Sequence, residues 1–136
     1  MIVTSNEHED QAAVVSWARD NSRWCPELAY LMASQNGAAL PANINNRGQR
    51  YSLEAVRLVE EGMVKGVSDL FLPAARGGYH GLWVEMKHGH NRVTPDQQKF
   101  ITAMRRFGYK AEACWGADAA IELLKSYVSL KPDDLP

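Results

Sequence analysis

Residues 66–87 read GVSDLFLPAARGGYHGLWVEMK, in which two runs rich in β-branched and aromatic residues flank the pair Gly77-Gly78. A Gly-Gly pair between two such runs is typical of the tight turn that joins antiparallel strands. The sequence therefore predicts a β-hairpin whose strands span residues 67–72 and 82–87.

Side chains alternate between the two faces of a strand, so residues two apart share a face. The apolar residues of the second predicted strand share one face, which we expect to pack in the core: Leu82, Val84 and Met86. Glu85 and Lys87 then lie on the opposite face with Trp83. Asp69 of the first strand can lie beside them.

Two carboxylates held close together repel each other unless a cation lies between them, so Asp69 and Glu85 on one face indicate a divalent metal. Mg²⁺ prefers carboxylate oxygens and takes water and phosphate oxygens as its remaining ligands. Lys87 can orient a water molecule or stabilise charge that develops on a phosphate. Taken alone, however, a Glu-x-Lys sequence on a strand is usually a solvated ion pair.

The composition is that of a single globular domain of 136 residues, with 46% hydrophobic and 23% charged residues. We expect its core to span residues 7–128 and a tail to follow at 129–136. There is no apolar run of transmembrane length and no signal peptide. Because no apolar run is long enough to span a membrane, we expect no association with one. Cys25 and Cys114 are isolated, which favours a reducing, cytoplasmic location.

The charge is unevenly distributed although the net charge is only −1. Residues 76–110 carry seven Lys or Arg and two acids, an excess of five positive charges around the candidate site. This excess fits a surface that contacts a phosphate backbone, although a solvated basic surface would have the same charge. The residues predicted to contact nucleic acid are basic or histidine: Arg47, Arg50, Arg76, His88, His90, Arg92 and Lys99.

A first helix is predicted over residues 4–20, with Thr4 as the N-cap and Glu7 completing a capping box. Glu7 can also be a third carboxylate that this helix delivers to the sheet. Glu9 and Asp10 compete for that role, although acidic residues near a helix N-terminus are also explained by the helix dipole.

Residues 27–34 can form a short strand or a buried turn of helix, and we favour the strand. Residues 35–49 favour a long irregular loop, which is either functional or mobile. A second helix is predicted over residues 52–61, ending at Gly62. Its apolar residues are expected to face inward: Ala55, Val56 and Val59.

Thr94 begins the best-defined helix, because Gln97 lies three residues later and completes a capping box. A strand at 109–115 and a helix at 117–127 follow, and residues 131–136 are expected to fray. Since the helix from Thr94 can cross over the sheet, the last strand is predicted to be parallel to its neighbour. The fold class is therefore α/β, with a central mixed sheet flanked by helices.

With its elements in this order, the chain resembles the VRR-NUC family, of the stand-alone phage or bacterial type, a branch of the PD-(D/E)XK nuclease superfamily. The resemblance covers most of the chain. It is carried by six short sequences: Glu-His-Glu-Asp-Gln at 7–11, Gly-Val-Ser-Asp-Leu at 66–70, His-Gly-Leu-Trp-Val-Glu-Met-Lys at 80–87, Thr-Pro-Asp-Gln-Gln at 94–98, Gly-Tyr at 108–109 and Ala-Ala-Ile at 119–121. The residue before Asp69 is Ser68, where the superfamily usually has proline.

The resemblance implies a restriction-endonuclease-like fold and a metal site. Asp69 and Glu85 would bind Mg²⁺ or Mn²⁺, and Glu7 would complete the acidic set. Lys87 would position the attacking water. Gln97 of the third helix would support the site, with Gln98 and Glu9 as neighbouring alternatives to Gln97 and Glu7.

The resemblance also implies a function: an endonuclease for branched DNA, specifically a homodimeric Holliday-junction resolvase working in replication or repair, with a helicase as a possible partner. Residues 35–62 are the candidates for the dimer contact or for gripping the junction. A flap nuclease or a nickase is the first alternative. A DNA-binding module without catalysis is the second, and the intact set Asp69, Glu85 and Lys87 argues against it.

Overall fold

The computed structural model describes residues 6–34, 43–44, 50–51 and 53–133. The helices and strands within these ranges are α1 Glu7–Asp20, a 3₁₀ helix Pro26–Tyr30, β1 Met32–Ala33, β2 Asn43–Ile44, β3 Arg50–Tyr51, α2 Leu53–Glu60, β4 Leu70–Leu72, β5 Leu82–Lys87, α3 Pro95–Arg106, β6 Lys110–Trp115 and α4 Ala117–Val128. None of the helices in these ranges is long and apolar enough to cross a membrane.

The main sheet has the strand order β1-β4-β5-β6, and a small second sheet pairs β2 with β3. β4 and β5 are antiparallel, whereas β5 and β6 are parallel, so the predicted mixed sheet is confirmed. The predicted turn is also confirmed, because Gly77 and Gly78 both have positive φ angles, 59° and 87°.

β5 has the bounds that the alternation predicted, but β4 begins at Leu70, three residues later than expected. The segment before β4 instead lies against α3. A Cβ on Gly66 would lie 2.3 Å from the carbonyl oxygen of Asp96, so this segment passes directly against the first turn of α3.

The two faces of the sheet are covered differently. One face forms the core with α1 and α4, through buried residues of the sheet and of both helices: Val14, Ala18, Leu70, Leu72, Leu82, Val84, Met86, Leu124 and Tyr127. The other face lies under α3, where Trp83 stacks on Phe71 at 4.2 Å and meets Phe100 edge-on at 4.9 Å. β5 is therefore buried on both faces.

The capping residues of two helices decide where they begin. α1 begins at Glu7, and Asn6 is its N-cap, with Oδ1 accepting from the Glu9 N–H at 2.8 Å. The predicted start at Thr4, which lies outside the described residues, is therefore wrong, since Asn is at least as good an N-cap as Thr. The capping box of Thr94 on α3 is confirmed.

The segment predicted as a strand over 27–34 is a 3₁₀ helix followed by a two-residue strand. Pro26 at the first position favours a helical turn. The guanidinium of Arg19 holds this turn by donating to the carbonyl oxygens of Leu28 at 3.0 Å and Leu31 at 2.7 Å.

Two further expectations are corrected. Val56 and Val59 of α2 are about half exposed, so the prediction that they face inward is wrong; the side chain of Ala55 lies outside the described residues. Periodicity identifies an apolar face of a helix but not what covers it. Residues 131–133 are anchored rather than frayed, because the amides of Gly77 and Gly78 donate to the Lys131 carbonyl and to Oδ1 of Asp133.

Candidate active site

Strand pairing brings the two central carboxylates together. The register pairs Leu70 with Val84, so Asp69 lies just before β4 and across from Glu85 on β5. Oδ2 of Asp69 accepts a 2.7 Å hydrogen bond from the backbone N–H of Met86. This bond fixes the Asp69 carboxylate beside Glu85.

Glu85 and Lys87 are buried, with 2% and 5% of their surface exposed, and Oε1 of Glu85 lies 3.7 Å from Nζ of Lys87. This burial excludes a solvated ion pair. The second oxygen of the carboxylate, Oε2, is buried and has no hydrogen-bond partner among the residues that the structure describes. A buried polar atom without a partner is costly, and it needs a reason such as a bound ion.

The electrostatics of the pair are unfavourable for two negative charges. Burial, assisted by the neighbouring charge of Asp69, raises the pKa of Glu85 to about 8. Burial also raises the pKa of Asp69, although the hydrogen bond from the Met86 N–H opposes this shift. When one of the two carboxyl groups carries a proton, it can hydrogen-bond to the other, whereas two ionised carboxylates make no such bond and leave Oε2 of Glu85 without a partner in the described part of the chain. Without a cation the pair therefore favours one negative charge rather than two.

Glu7 approaches the pair from the first turn of α1. Burial is the main cause that raises the pKa of Asp69, and the charge of Glu7 raises it further. Oε1 of Glu7 accepts from Nδ2 of Asn91 at 2.9 Å, and the Asn91 carbonyl accepts from Nε1 of Trp115 at 2.8 Å. Glu9, the alternative to Glu7, is exposed. Asn91 had no signal in the sequence beyond its place in a polar loop.

Asp10 is one of the two acids that the sequence offered as alternatives to Glu7, although the helix dipole also explained its position. It is buried, and its Oδ2 lies 3.0 Å from Nδ1 of His88, the residue after Lys87. Nothing in the local sequence connects these two residues. The only indication in the sequence was that Asp10 lies one helical turn after Glu7, and so on the same side of the helix.

Gln97 has the capping role that the sequence predicted. Its Oε1 accepts from the Thr94 N–H at 2.9 Å, and its own N–H donates to Oγ1 of Thr94. Gln98 donates along the helix to Thr102. A role for Gln97 in supporting the site stays a prediction.

The predicted nucleic-acid contacts fall into three groups. His90, Arg92 and Lys99 are exposed in the loop after β5 or on α3, and His88 is partly exposed beside Asp10. Arg47 lies outside the described residues, as does the side chain of Arg50.

Arg76 already has several partners within the fold, and its predicted contact with phosphate stays a prediction. It pairs with Glu27 at 2.9 Å and donates to the carbonyl oxygens of Val128 and Leu130. It also lies in the turn of the β4–β5 hairpin, at the end of the sheet opposite the carboxylates. Its guanidinium is therefore committed to holding the fold.

The donor set fits a hard divalent cation. Within residues 6–34, 43–44, 50–51 and 53–133, no three His, Cys, Asp or Glu side chains are already gathered as a metal site. Asp69, Glu85 and Glu7 nevertheless supply oxygen donors of the kind that Mg²⁺ and Mn²⁺ prefer. The unpartnered Oε2 of Glu85 and the mutual repulsion of the pair are both relieved by such an ion.

Comparisons with known proteins identify the fold and the family. A solved structure described as a VRR_NUC domain protein superimposes with a TM-score of 0.77 and 28% sequence identity, covering 98% of this chain and 96% of that chain. No curated protein matches the sequence. The VRR-NUC domain family matches residues 5–118, which include Glu7, Asp69, Glu85 and Lys87. The chain therefore belongs to the VRR-NUC family, whose nuclease-type domains have the PD-(D/E)XK fold.

Proposed function

We propose that this protein is a divalent-metal-dependent endonuclease that hydrolyses phosphodiester bonds in branched DNA. The observation that carries the proposal is the buried set of Asp69, Glu85 and Lys87, with a carboxylate oxygen left unpartnered. Groups kept in so unfavourable an environment are typical of catalytic sites. Membership of the VRR-NUC family supports a nuclease-type function in DNA processing.

The roles of the residues follow from their positions. Asp69, Glu85 and Glu7 would hold Mg²⁺ or Mn²⁺. When bound, such an ion favours ionisation of water near neutral pH and offsets negative charge on the phosphate. The Met86 N–H keeps the Asp69 carboxylate in a fixed orientation, which reduces the reorganisation needed during the reaction.

Lys87 is the positive group that the chain itself supplies. Its Nζ lies beside Glu85, in surroundings from which water is largely excluded, so its charge acts strongly on a nearby phosphate. We propose that it orients the attacking water and stabilises the charge that develops as water adds to phosphorus. The water gives up a proton to solvent as its oxygen bonds to phosphorus, the phosphodiester P–O bond breaks, and the leaving oxygen takes up a proton from solvent.

The substrate preference and the assembly state are part of the proposal. His90 and Arg92 are exposed in the loop after β5 and Lys99 is exposed on α3, and all three can contact the phosphate backbone. A two-fold dimer would present two sites to the opposing strands of a four-way junction. The exposed apolar residues of α2, within the segment 35–62, are candidates for the dimer contact: Leu53, Val56 and Val59. A helicase is a candidate partner in replication or repair.

Cleavage of an end-labelled four-way junction, with linear duplex and flap DNA as comparison substrates, tests the proposal. The wild type is assayed in Mg²⁺ or Mn²⁺ beside Asp69→Ala and Lys87→Ala, with Lys125→Ala as a control for loss of an exposed charge on α4. We expect paired symmetric cuts by the wild type and the control, and none by the two site variants or in EDTA. Junction binding without cutting in either metal would contradict catalysis, and preferred cutting of flaps would favour a flap nuclease.

A further inference from the structure

Trp115 lies next to Lys87, the lysine of the proposed active site. It is the last residue of β6 and is paired in parallel register with Lys87, the last residue of β5. Paired residues on neighbouring strands project from the same face of the sheet, and the strands are about 4.8 Å apart. The Trp115 and Lys87 side chains therefore lie side by side on the face that carries Glu85.

The neighbouring residues of β6 on this face are small. The register pairs Trp83 with Ala111 and Glu85 with Ala113, so the row reads Ala, Ala, Trp towards the end of the strand. Because alanine projects little above a sheet, Trp115 is the first large side chain beyond Glu85 in this row. Trp115 therefore bounds the site at the ends of β5 and β6.

The indole is fixed in place although it is exposed. Trp115 has 46% of its surface exposed, and its Nε1 donates to the carbonyl oxygen of Asn91 at 2.8 Å. The side chain of Asn91 in turn donates to Glu7. The ring is thus held by the loop that also orients a candidate metal ligand, and an apolar surface remains open to solvent.

We propose that Trp115 is a stacking platform for a base that has left the duplex next to the scissile phosphate. Every base has a π face, so an aromatic side chain beside a phosphate-binding lysine accepts a base without regard to sequence. In an intact duplex these faces are covered by neighbouring bases, whereas a branch point or a single-stranded end exposes them. This inference rests on the proposed nuclease function and gives it a physical basis for choosing branched DNA.

Binding of matched oligonucleotides tests the platform without requiring cleavage. In an Asp69→Asn background, affinities are measured for a four-way junction, a single strand and an intact duplex of the same sequence. We expect Trp115→Ala to weaken binding of the junction and the single strand by about 5- to 150-fold, the range for loss of one stacked base. Binding of the intact duplex should change by less than about twofold on the same reasoning.

Two further variants separate stacking from support of the loop. Trp115→Phe keeps an aromatic face but loses the bond to Asn91, so it should retain most of the affinity. Trp24→Ala is the matched control, because Trp24 is 60% exposed and its Nε1 is likewise bonded locally, to Asn21 at 2.7 Å. A 2-aminopurine placed at the branch should lose fluorescence when the DNA binds the protein that retains Trp115, but not when it binds the Trp115→Ala variant.

The inference is overturned by any of three results: Trp115→Ala binds every substrate as the parent does, it weakens duplex and single strand equally, or Trp115→Phe loses as much as Trp115→Ala. Melting curves check that each variant is folded. If Trp115 does not stack on a base, the wild type should still cleave the junction. Failure of the nuclease proposal would instead remove cleavage while these binding differences could still be measured.

Discussion

Nδ1 of His88 lies 3.0 Å from Oδ2 of Asp10, a contact between residues 78 positions apart in the chain. Asp10 is in the first turn of α1 together with Glu7, and His88 directly follows Lys87. The contact therefore ties the helix that supplies one candidate ligand to the strand that supplies the lysine. Together with the hydrogen bond from Asn91 to Glu7, it fixes the distance between these two parts of the site.

Removing this tie should lower both stability and activity. Asp10→Ala leaves the His88 imidazole without its carboxylate, and loss of a buried hydrogen bond to a charged group costs about 1.5–3 kcal/mol. Urea unfolding and junction cleavage measure the two effects. Glu9→Ala is the control, because Glu9 is exposed in the same helical turn. Equal behaviour of the two variants would argue that the contact has no positioning role.

Asp69→Asn should stabilise the protein in the absence of metal while it abolishes cleavage. Asparagine can still accept from the Met86 N–H and can donate to Glu85, which removes the repulsion between the carboxylates. We expect a gain of about 1 kcal/mol in the free energy of unfolding at pH 9, as is common when a strained site is relieved. Asp20→Asn, an exposed acid at the end of α1, controls for the change in net charge. A loss of stability would contradict the assigned repulsion.

The metal-free protein should become less stable as pH rises from about 5 to about 8. The pKa of Glu85 is raised from an ordinary 4.5 to about 8, so in this range the folded state binds more protons than the unfolded state. Stability then falls with increasing pH. Thermal melts in EDTA across this range measure the trend, and Glu85→Gln should flatten it. A wild-type protein that gains stability over the same interval would reverse the assigned sign.

Metal affinity should show the opposite trend. Binding of a divalent ion to the Asp69–Glu85 pair has to displace the shared proton, so the affinity should rise by about tenfold per pH unit up to about pH 8 and then level off. Calorimetric titration with Mn²⁺ in two buffers of different ionisation enthalpy measures both the affinity and the protons released. Affinity that does not vary between pH 6 and pH 8 would contradict a shared proton.

The outer face of α3 should contact the DNA backbone. Lys99 and Arg106 lie on a shallow groove of about 460 Å³, whose other lining residues are uncharged: Pro95, Gln98, Thr102 and Ala103. Each lost phosphate contact lowers the slope of log affinity against log salt by about 0.9, so the double alanine variant should lower it by about 1.8. Lys125→Ala, which pairs with Glu122 on α4, is the control. An unchanged slope would place the DNA elsewhere.

Local rules were enough for the parts of the fold that depend on neighbouring residues. The alternation along β5 gave its bounds, and Thr94 with Gln97 gave the start of α3, because both signals act within a few residues. The start of α1 was less certain, since Thr4 and Asn6 are both competent caps and only packing decides between them.

Contacts between residues far apart in the chain could not be predicted from the sequence. Alternation put Glu85 and Lys87 on one face, but it could not show that this face is buried under other elements. Arg76 resembled a free cation because its partner, Glu27, lies 49 positions earlier. Asp10 and His88 likewise meet only through the packing of α1 against the sheet.

Gly66 links the two sides of the site through backbone alone. Its φ of 81° favours glycine, and even a methyl group would collide with the carbonyl of Asp96 in the first turn of α3. The segment that leads to Asp69 and the helix that faces the proposed DNA surface are thus in direct main-chain contact, with no side chain between them to compress or rotate. A displacement of α3 by bound DNA would consequently also move the segment that leads to Asp69, so that the grip on the substrate and the placement of the first carboxylate change together.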